Sequence, residues 1–407
     1  MRVDAESFDY VSCRSGGNAY RSTDIAVDVF GTTRQVVTHA VSGASYYLVP
    51  CDPHVAQAIT DHLAYDMRFY PPYYRSDAEW WHRGDVRDAS LFGDGRDGRD
   101  KQDRRSGGGD GDRLDAWMDD HYWDYLIERP ANPTLFLWPM DVAAASGDDF
   151  RQLVFPMRDL HGYVPLSHVL SNINDRPRPE FAWHAAVNDA ALAPLSKGLI
   201  AVFAELEQIG YLNGGFDIGR MYYQADDPSH VVCDFSQTMI RVDGLPPLGG
   251  AGQRTAVTLP NLVTGEYVDP YAWSRMDNGS GPLHIDRLSE RFTLAAMLFR
   301  LLVGRMPFDG RAVEPQWSMN TDAQMHDVWV RAYQSSPVFI FDPRDTSNTV
   351  GGEDAPESER HFVDNWNKLT PQVRGMFLSV FRNEKATRLS DSIDYPTPEQ
   401  WRDVLRI

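Results

Sequence analysis

Apolar positions along the chain follow two periods. From Asp24 to Phe30, Arg34 to His39 and Ser45 to Pro50, short β-branched and aromatic runs are broken by Gly and Asp, which predicts strands of a small sheet. Within 53–67, Val55, Ile59, Leu63 and Met67 recur at helical spacing. Leu135 to Pro139 and Gln152 to Met157 read as two further strands. Beyond about residue 160 the period lengthens. Leu195, Leu199, Val202, Phe203 and Leu206 share one face of a helix that stops at Gly210, where a C-terminal glycine is expected. Phe292, Ala295, Ala296, Phe299, Leu302 and Val303 line a second helix, apolar almost all round and so expected to be buried. A third runs through Val373, Phe377 and Phe381. The pattern predicts an α+β chain, β-rich first and helical after, with no internal repeat.

An insertion interrupts the sheet-forming part. Residues 93–113, GDGRDGRDKQDRRSGGGDGDR, carry no apolar side chain, so nothing there offsets the entropy of ordering them. The reading is a disordered insertion over about 84–113. Tyr65, Phe69, Tyr70 and Trp80 precede it, and Trp117, Tyr122 and Trp123 follow it. Packing of these rings against the body of the fold is the plain reading, and a partner-docking surface the alternative. The chain divides at the end of the last predicted strand, into 1–157 and 158–407.

Composition narrows the classes. With 407 residues, 42% of them hydrophobic, the chain can bury a sizeable core in one large two-lobed domain or two ordinary ones. Its 39 basic and 58 acidic side chains leave a net charge of −19, against the basic face that nucleic acid or an anionic membrane surface requires. The most apolar stretch, Thr293 to Gly304, is interrupted by Arg300 and is short of the ~18–20 residues of a bilayer span. No hydrophobic signal core follows Met1, and the expectation is a soluble, cytoplasmic chain. Cys13, Cys51 and Cys233 are odd in number and widely spaced, which predicts neither a disulfide framework nor a zinc site. Only four residues are lysines, at 101, 197, 368 and 385.

The chemistry-bearing segment lies between the first two long helices. Gly210-Tyr-Leu-Asn-Gly-Gly-Phe-Asp-Ile-Gly-Arg-Met-Tyr-Tyr is followed by a polar turn and then Val231-Val-Cys-Asp-Phe-Ser. Further on come Glu266-Tyr-Val-Asp-Pro-Tyr and the stretch from Ser289 to Gly310, whose aliphatic face ends in Gly304-Arg-Met-Pro-Phe-Asp-Gly. This succession of helix, loop, hairpin, Asp-Phe-Ser, activation-segment end and buried helix resembles the protein kinase superfamily. Leu137-Trp-Pro-Met, Phe155-Pro-Met157 and the closing Gln400-Trp-Arg-Asp-Val-Leu resemble a divergent bacterial branch of kinase-like proteins. The resemblance implies a bilobal kinase-like fold, with a small β-rich N-lobe over 1–157 and a large helical C-lobe over 158–407. Members of that branch tend to be encoded beside von Willebrand A domains and metal-dependent phosphatases, which points to a protein partner of that kind.

Phosphoryl transfer on this fold is positioning plus electrostatics, and each part can be sought in turn. The third-strand lysine is matched by Asp28 in Ile25-Ala-Val-Asp-Val-Phe, and no lysine precedes Lys101. A carboxylate there meets a triphosphate with repulsion, about 4 kcal/mol per charge pair at close range and an effective dielectric of ~20. Neither helix candidate, 53–67 or 114–127, holds the glutamate that would pair with the lysine. Ser15-Gly16-Gly17-Asn18 stands for the phosphate loop, though paired glycines signal a turn first. Alignment of Gly214 to Arg220 with the branch's catalytic loop puts Gly215 at the base and Arg220 at the metal-binding Asn. Glycine accepts no proton, and a cation opposes magnesium. A shift of two residues puts Asp217 at the base and Tyr222 at the Asn. Asp234 is the one retained chemical residue, a metal ligand by position or, alternatively, the salt-bridge partner of Arg220. In the later structural ion pair, Pro270-Tyr271 replaces Pro-Glu, Glu290 replaces the helix Asp, and the arginine has become Tyr395 or moved to Arg388.

The resemblance together with these departures predicts a pseudokinase, a binding or regulatory module with no catalytic residue and no required cofactor. Weak nucleotide contacts would fall at Gly16, Gly17 and Met157, and a weak metal contact at Asp234. The alternative is an active atypical kinase or nucleotidyl transferase that uses Asp217 and Asp234 with ATP and magnesium. An unrelated α+β scaffold is the third reading.

Overall fold

The β-branched runs near the start of the chain pair into a closed barrel. In the computed structural model, the described residues are 8–13, 18–29, 32–51, 127, 130–145, 151–166, 189–213, 220–234, 239–241, 257–259, 269–270, 283–285, 287–312, 337–351, 357–382 and 395–407. The barrel strands are β1 (Tyr10–Ser12), β2 (Ala19–Val29), β3 (Thr32–His39) and β4 (Ser45–Pro50). After the short β5 (Phe136–Leu137) come β6 (Asp141–Ala145) and β7 (Arg151–Pro156). Their order is β1-β2-β3-β4-β7-β6, and β1 closes the ring by pairing Tyr10 with Ala145 on β6.

Strand alternation gives the sheet two buried faces. Leu48, Ala143 and Val154 turn inward to pack with Tyr20 and Val37, while their neighbours Tyr47, Val142, Leu153 and Phe155 join the main core. A one-residue slip would exchange the two sets, so register is fixed from both sides. One end of the barrel is stoppered by the Asp141 carboxylate, 1% exposed. It accepts from Ser12 Oγ (2.8 Å), Asn18 Nδ2 (3.1 Å), Tyr20 Oη (2.6 Å) and its neighbour's backbone, Val142 N (2.9 Å). Four donors offset the cost of burying a charge. Burial, and then the Asp141 bond, pushes the Tyr20 phenol far above its ordinary value.

A second sheet follows. It consists of β5, β8 (Tyr163–Pro165), β10 (Met221–Gln224) and β11 (Val231–Asp234), in the order β5-β11-β10-β8. Before β10, helix α1 (Asp189–Ile209) ends at Gly210, whose φ of 78° is open to glycine at low cost, and leads into β9 (Tyr211–Leu212). Two small pairings lie beyond: β12 (Ile240–Arg241) on β9, and β13 (Val257–Leu259) on β14 (Leu283–Ile285).

Helix α2 (Arg287–Val303) organises the later core. Its Leu, Ala and Met residues favour helix, and Glu290 in the first turn and Arg300 in the last suit the helix dipole. It is buried nearly all round, as its sequence predicts, against α1, α3 (Glu357–Lys368) and α4 (Pro371–Phe381). Phe299 meets Phe377 and Phe381 edge-on at 5.2 and 5.5 Å. The last helix, α5 (Pro398–Leu405), starts with a capping box between Thr397 and Gln400 and buries Trp401 completely. The core is continuous from Tyr47 and Phe155 to Trp401. Among the described residues no helix is long and apolar enough to cross a membrane.

The later turn is fixed by backbone contacts. A Cβ on Gly310 would lie 1.8 Å from the Asn348 carbonyl oxygen. Buried Asn348 donates through Nδ2 to the Phe308 and Val338 carbonyls, both at 2.8 Å, and its Oδ1 accepts from Ala312 N at 3.0 Å.

The fold is thus mixed, β-rich first and helical after. The predicted helices at 195–206, 292–303 and 373–381 fall inside α1, α2 and α4. Strands β1 and β6 were not predicted, since Asp141-Val-Ala-Ala-Ala has no β-branched alternation and owes its conformation to ring closure. The helix expected at 53–67, the second candidate at 114–127 except for its last residue, and the insertion at 84–113 lie outside the described residues.

Candidate functional site

A cleft of about 860 Å³ lies between the barrel and the second sheet. Val27, Asp28 and Val29 of β2 and Tyr47 of β4 form one wall. Leu137 of β5 with Tyr163 and Pro165 of β8 form another, and the connector from Met157 to His161 completes the lining.

The hinge-like connector is short because it turns on its own hydrogen bonds. Tyr163 N donates to the Leu160 carbonyl at 3.1 Å, and His161 N to Asp159 Oδ1 at 2.9 Å. Arg158 ties it to the preceding turn, donating to the Pro133 carbonyl at 2.8 Å and the Thr134 carbonyl at 3.2 Å, with its guanidinium 5.8 Å from the Tyr163 ring centre. Asp159, His161 and Met157 remain exposed.

Tyr47 forms the inner end. It is 3% exposed, and its ring stacks on Phe155 of β7 at 5.2 Å with an interplanar angle of 5°. The two residues are direct register partners, which brings the rings face to face. Burial, aided by the nearby negative charge of Asp234, pushes the Tyr47 phenol above its ordinary value, while Arg34 acts in the opposite sense.

The β10–β11 hairpin delivers Asp234. Its turn is held by Asp227, whose Oδ1 accepts from Ser229 Oγ at 2.6 Å and Ser229 N at 3.1 Å; these bonds hold the Asp227 carboxyl below its ordinary value. Asp234 pairs in register with Leu137, a cleft residue, and is half-buried. The ladder pair Met221 and Cys233 sets Arg220 opposite Asp234, one step beyond the last pairing. Arg220 itself is exposed.

Asn213, which follows β9, is anchored from α2. Glu290 Oε1 accepts from Asn213 N at 3.0 Å. Arg291, beside it, pairs with Glu207 of α1 and donates to the Tyr395 carbonyl at 3.2 Å.

The structure therefore brings Asp28 and Met157 together across the cleft, with Asp234 beside it. Gly16, Gly17, Gly215 and Asp217 lie outside the described residues, as do Tyr271 and Arg388. Sequence reasoning missed Tyr47, Arg158 and Asp159 as cleft residues. The signal was chain order: β4, not the strand carrying Asp28, runs directly into 53–67. Among the described residues no group of three His, Cys, Asp or Glu side chains is placed to hold a metal ion.

No family model matches the chain, and no curated protein does. Among solved structures it is similar to a rhoptry kinase from Toxoplasma gondii, with a TM-score of 0.41 and 11% identity, over 98% of this chain and 82% of that one.

Proposed function

We propose that this chain is a kinase-like protein without phosphoryl-transfer chemistry, a binding or regulatory module. The observation that carries the reading is Tyr47. On the kinase plan the strand that leads into the first helix supplies the lysine for the phosphates. The strand that precedes the helix expected from sequence at 53–67 is β4, and its cleft-lining side chain is a buried phenol stacked on Phe155. Asp28, matched to that position from sequence alone, belongs to β2 and adds a carboxylate to the same cleft.

Neither described lysine lines the cleft. Lys197 is exposed on α1 and Lys368 is exposed at the end of α3. Arg220 opposite Asp234 supports a salt bridge in the place of a metal ion. With Gly215 at the base position, no proton acceptor remains in the preferred register. On this reading the scaffold presents surfaces to a protein partner, and the family resemblance points to a von Willebrand A domain or a metal-dependent phosphatase.

Asp234 beside the cleft favours a second reading, an atypical phosphoryl or nucleotidyl transferase built on Asp217 and Asp234 with ATP and a divalent metal. Incubating the full chain with γ- and α-labelled ATP, magnesium or manganese, and general protein acceptors separates the two. No label on chain or acceptor is expected. Label transferred by the native chain and lost in Asp234→Asn would overturn the first reading and establish the second.

A further inference from the structure

Beside the β2–β4 wall of the cleft stands a cation with a buried nitrogen that the scaffold leaves without an acceptor. Arg34 of β3 lies opposite Val27 of β2 in register, and Val36, two places on, lies opposite Tyr47 of β4. Residues two apart on a strand share a face, so Arg34 stands on the side of the sheet that gives Val27 and Tyr47 to the cleft. It is diagonal to Tyr47, within reach for a long side chain. Arg34 is half-buried, and among the described residues no acceptor meets its buried Nε. An arginine nitrogen taken out of water without a partner is costly, and it calls for an acceptor from elsewhere. Arg158, by contrast, is engaged by two backbone carbonyls.

Tyr47 supplies a second donor. Burial holds its phenol protonated, and a hydroxyl beside a guanidinium suits the two oxygens of a carboxylate. Asp234 bears on the same ring with the opposite sign to Arg34, and Asp28 and Asp159 line the same cleft. One negative charge on a ligand is matched by Arg34; each further charge adds repulsion without adding a donor. Val27, Val29 and Leu137 give the lining apolar surface, and the volume of about 860 Å³ falls in the range of small-molecule sites. We infer that the cleft takes a small apolar monocarboxylic acid, its carboxylate held between the Arg34 guanidinium and the Tyr47 hydroxyl and its body against Val27, Val29 and Leu137. Such a ligand suits a module that moves no phosphoryl group, and it goes beyond the reading above without depending on it.

Benzoate is the probe, titrated into the full chain by ligand-observed NMR in parallel with benzamide, which keeps the ring and loses the charge, and with ATP plus magnesium. Saturable benzoate binding is expected, weakened about tenfold in Arg34→Met and about fivefold in Tyr47→Phe. Arg34→Met keeps an apolar stem and removes the unmatched Nε, so its thermal stability is expected to equal or exceed that of the native chain. A marked fall would make Arg34 a structural residue and overturn the inference. Arg360→Met removes the same charge from an exposed position on α3 and is expected to leave affinity unchanged. Absence of benzoate binding, equal loss in Arg34→Met and Arg360→Met, or benzamide bound as tightly as benzoate would each overturn the inference while leaving the proposed function standing. Should Arg34→Met fail to fold, undiminished benzoate binding in Tyr47→Phe would still overturn it. Magnesium-dependent ATP binding that is lost in Arg34→Met would overturn both.

Discussion

Helix α2 with its following turn, and the cleft at the barrel's edge, treat polar groups in opposite ways. Around α2, Glu290 holds Asn213 N, and Arg305 stands 3.9 Å from Glu359 and 5.2 Å from the Phe362 ring centre. Asn348 staples three backbone groups at once. These are contacts to backbone and to structural partners, indifferent to any substrate. Around the cleft, carboxylates from β2 and the connector line an open space, and a tyrosine stack fills the inner end. The difference teaches that the contacts that hold the scaffold and the groups that line the cleft fall on separate residues. One set can be met in full without the other.

The sharpest way to break that comparison is at Gly310. An alanine there puts a methyl against the Asn348 carbonyl oxygen, and backbone must move. Loss of more than about 3 kcal/mol of stability, or failure to fold, is expected from denaturant titration. Tolerance within ~1 kcal/mol would show that the turn is not the rigid element described.

Next in size is the barrel stopper. Asp141→Ala leaves the Tyr20 hydroxyl buried without its acceptor and frees Ser12 and Asn18, and a loss of about 2–3 kcal/mol is expected. Hydrogen exchange on residues 10–12 should rise with it, because Asp141 fastens β1 to β2 and β6. The variant is expected to leave α2 amides protected, which keeps the two regions distinct.

Glu290→Ala removes the acceptor for Asn213 N and is expected to cost about 1–2 kcal/mol. Glu290→Gln retains an acceptor oxygen and should recover most of it. Equal losses in the two variants would remove the anchoring role.

The smallest effect is a matter of thiols. Cys13 is exposed, while Cys51 and Cys233 are buried, and burial pushes the Cys51 thiol from its ordinary 9.0 up to about 12. At pH 8 one thiol per chain should label quickly and two only on unfolding. Stability should fall as pH rises from about 9 toward 12, because the unfolded chain releases the Cys51 proton first while the folded one retains it. Cys51→Ala should lessen that slope.

Much of the scaffold was legible in the sequence. Helical spacing gave α1, α2 and α4 because their buried faces are aliphatic and aromatic without interruption, and Gly210 marked an end that its φ of 78° accounts for. Strands β2, β3 and β4 were legible from β-branched runs, although their order in the sheet was not, and that order decides which residue faces the cleft. Asp28, matched from sequence to the place of the lysine, lines the cleft. Tyr47 was not singled out, since one aromatic in Ser45-Tyr-Tyr-Leu-Val-Pro reads as core until the strand's place is known. The same limit hid Asp141, whose four donors come from β1, the residue before β2, β2 itself and the residue after Asp141, three of those partners more than 120 positions away in sequence. Pairing across that distance leaves no local trace.

On the proposed reading the cleft has no means to hold a magnesium–triphosphate, and the most direct test is equilibrium titration of the full chain with ATP and magnesium by calorimetry. No saturable heat is expected up to millimolar nucleotide. A magnesium-dependent isotherm in the micromolar range, abolished by Asp234→Asn, would contradict it.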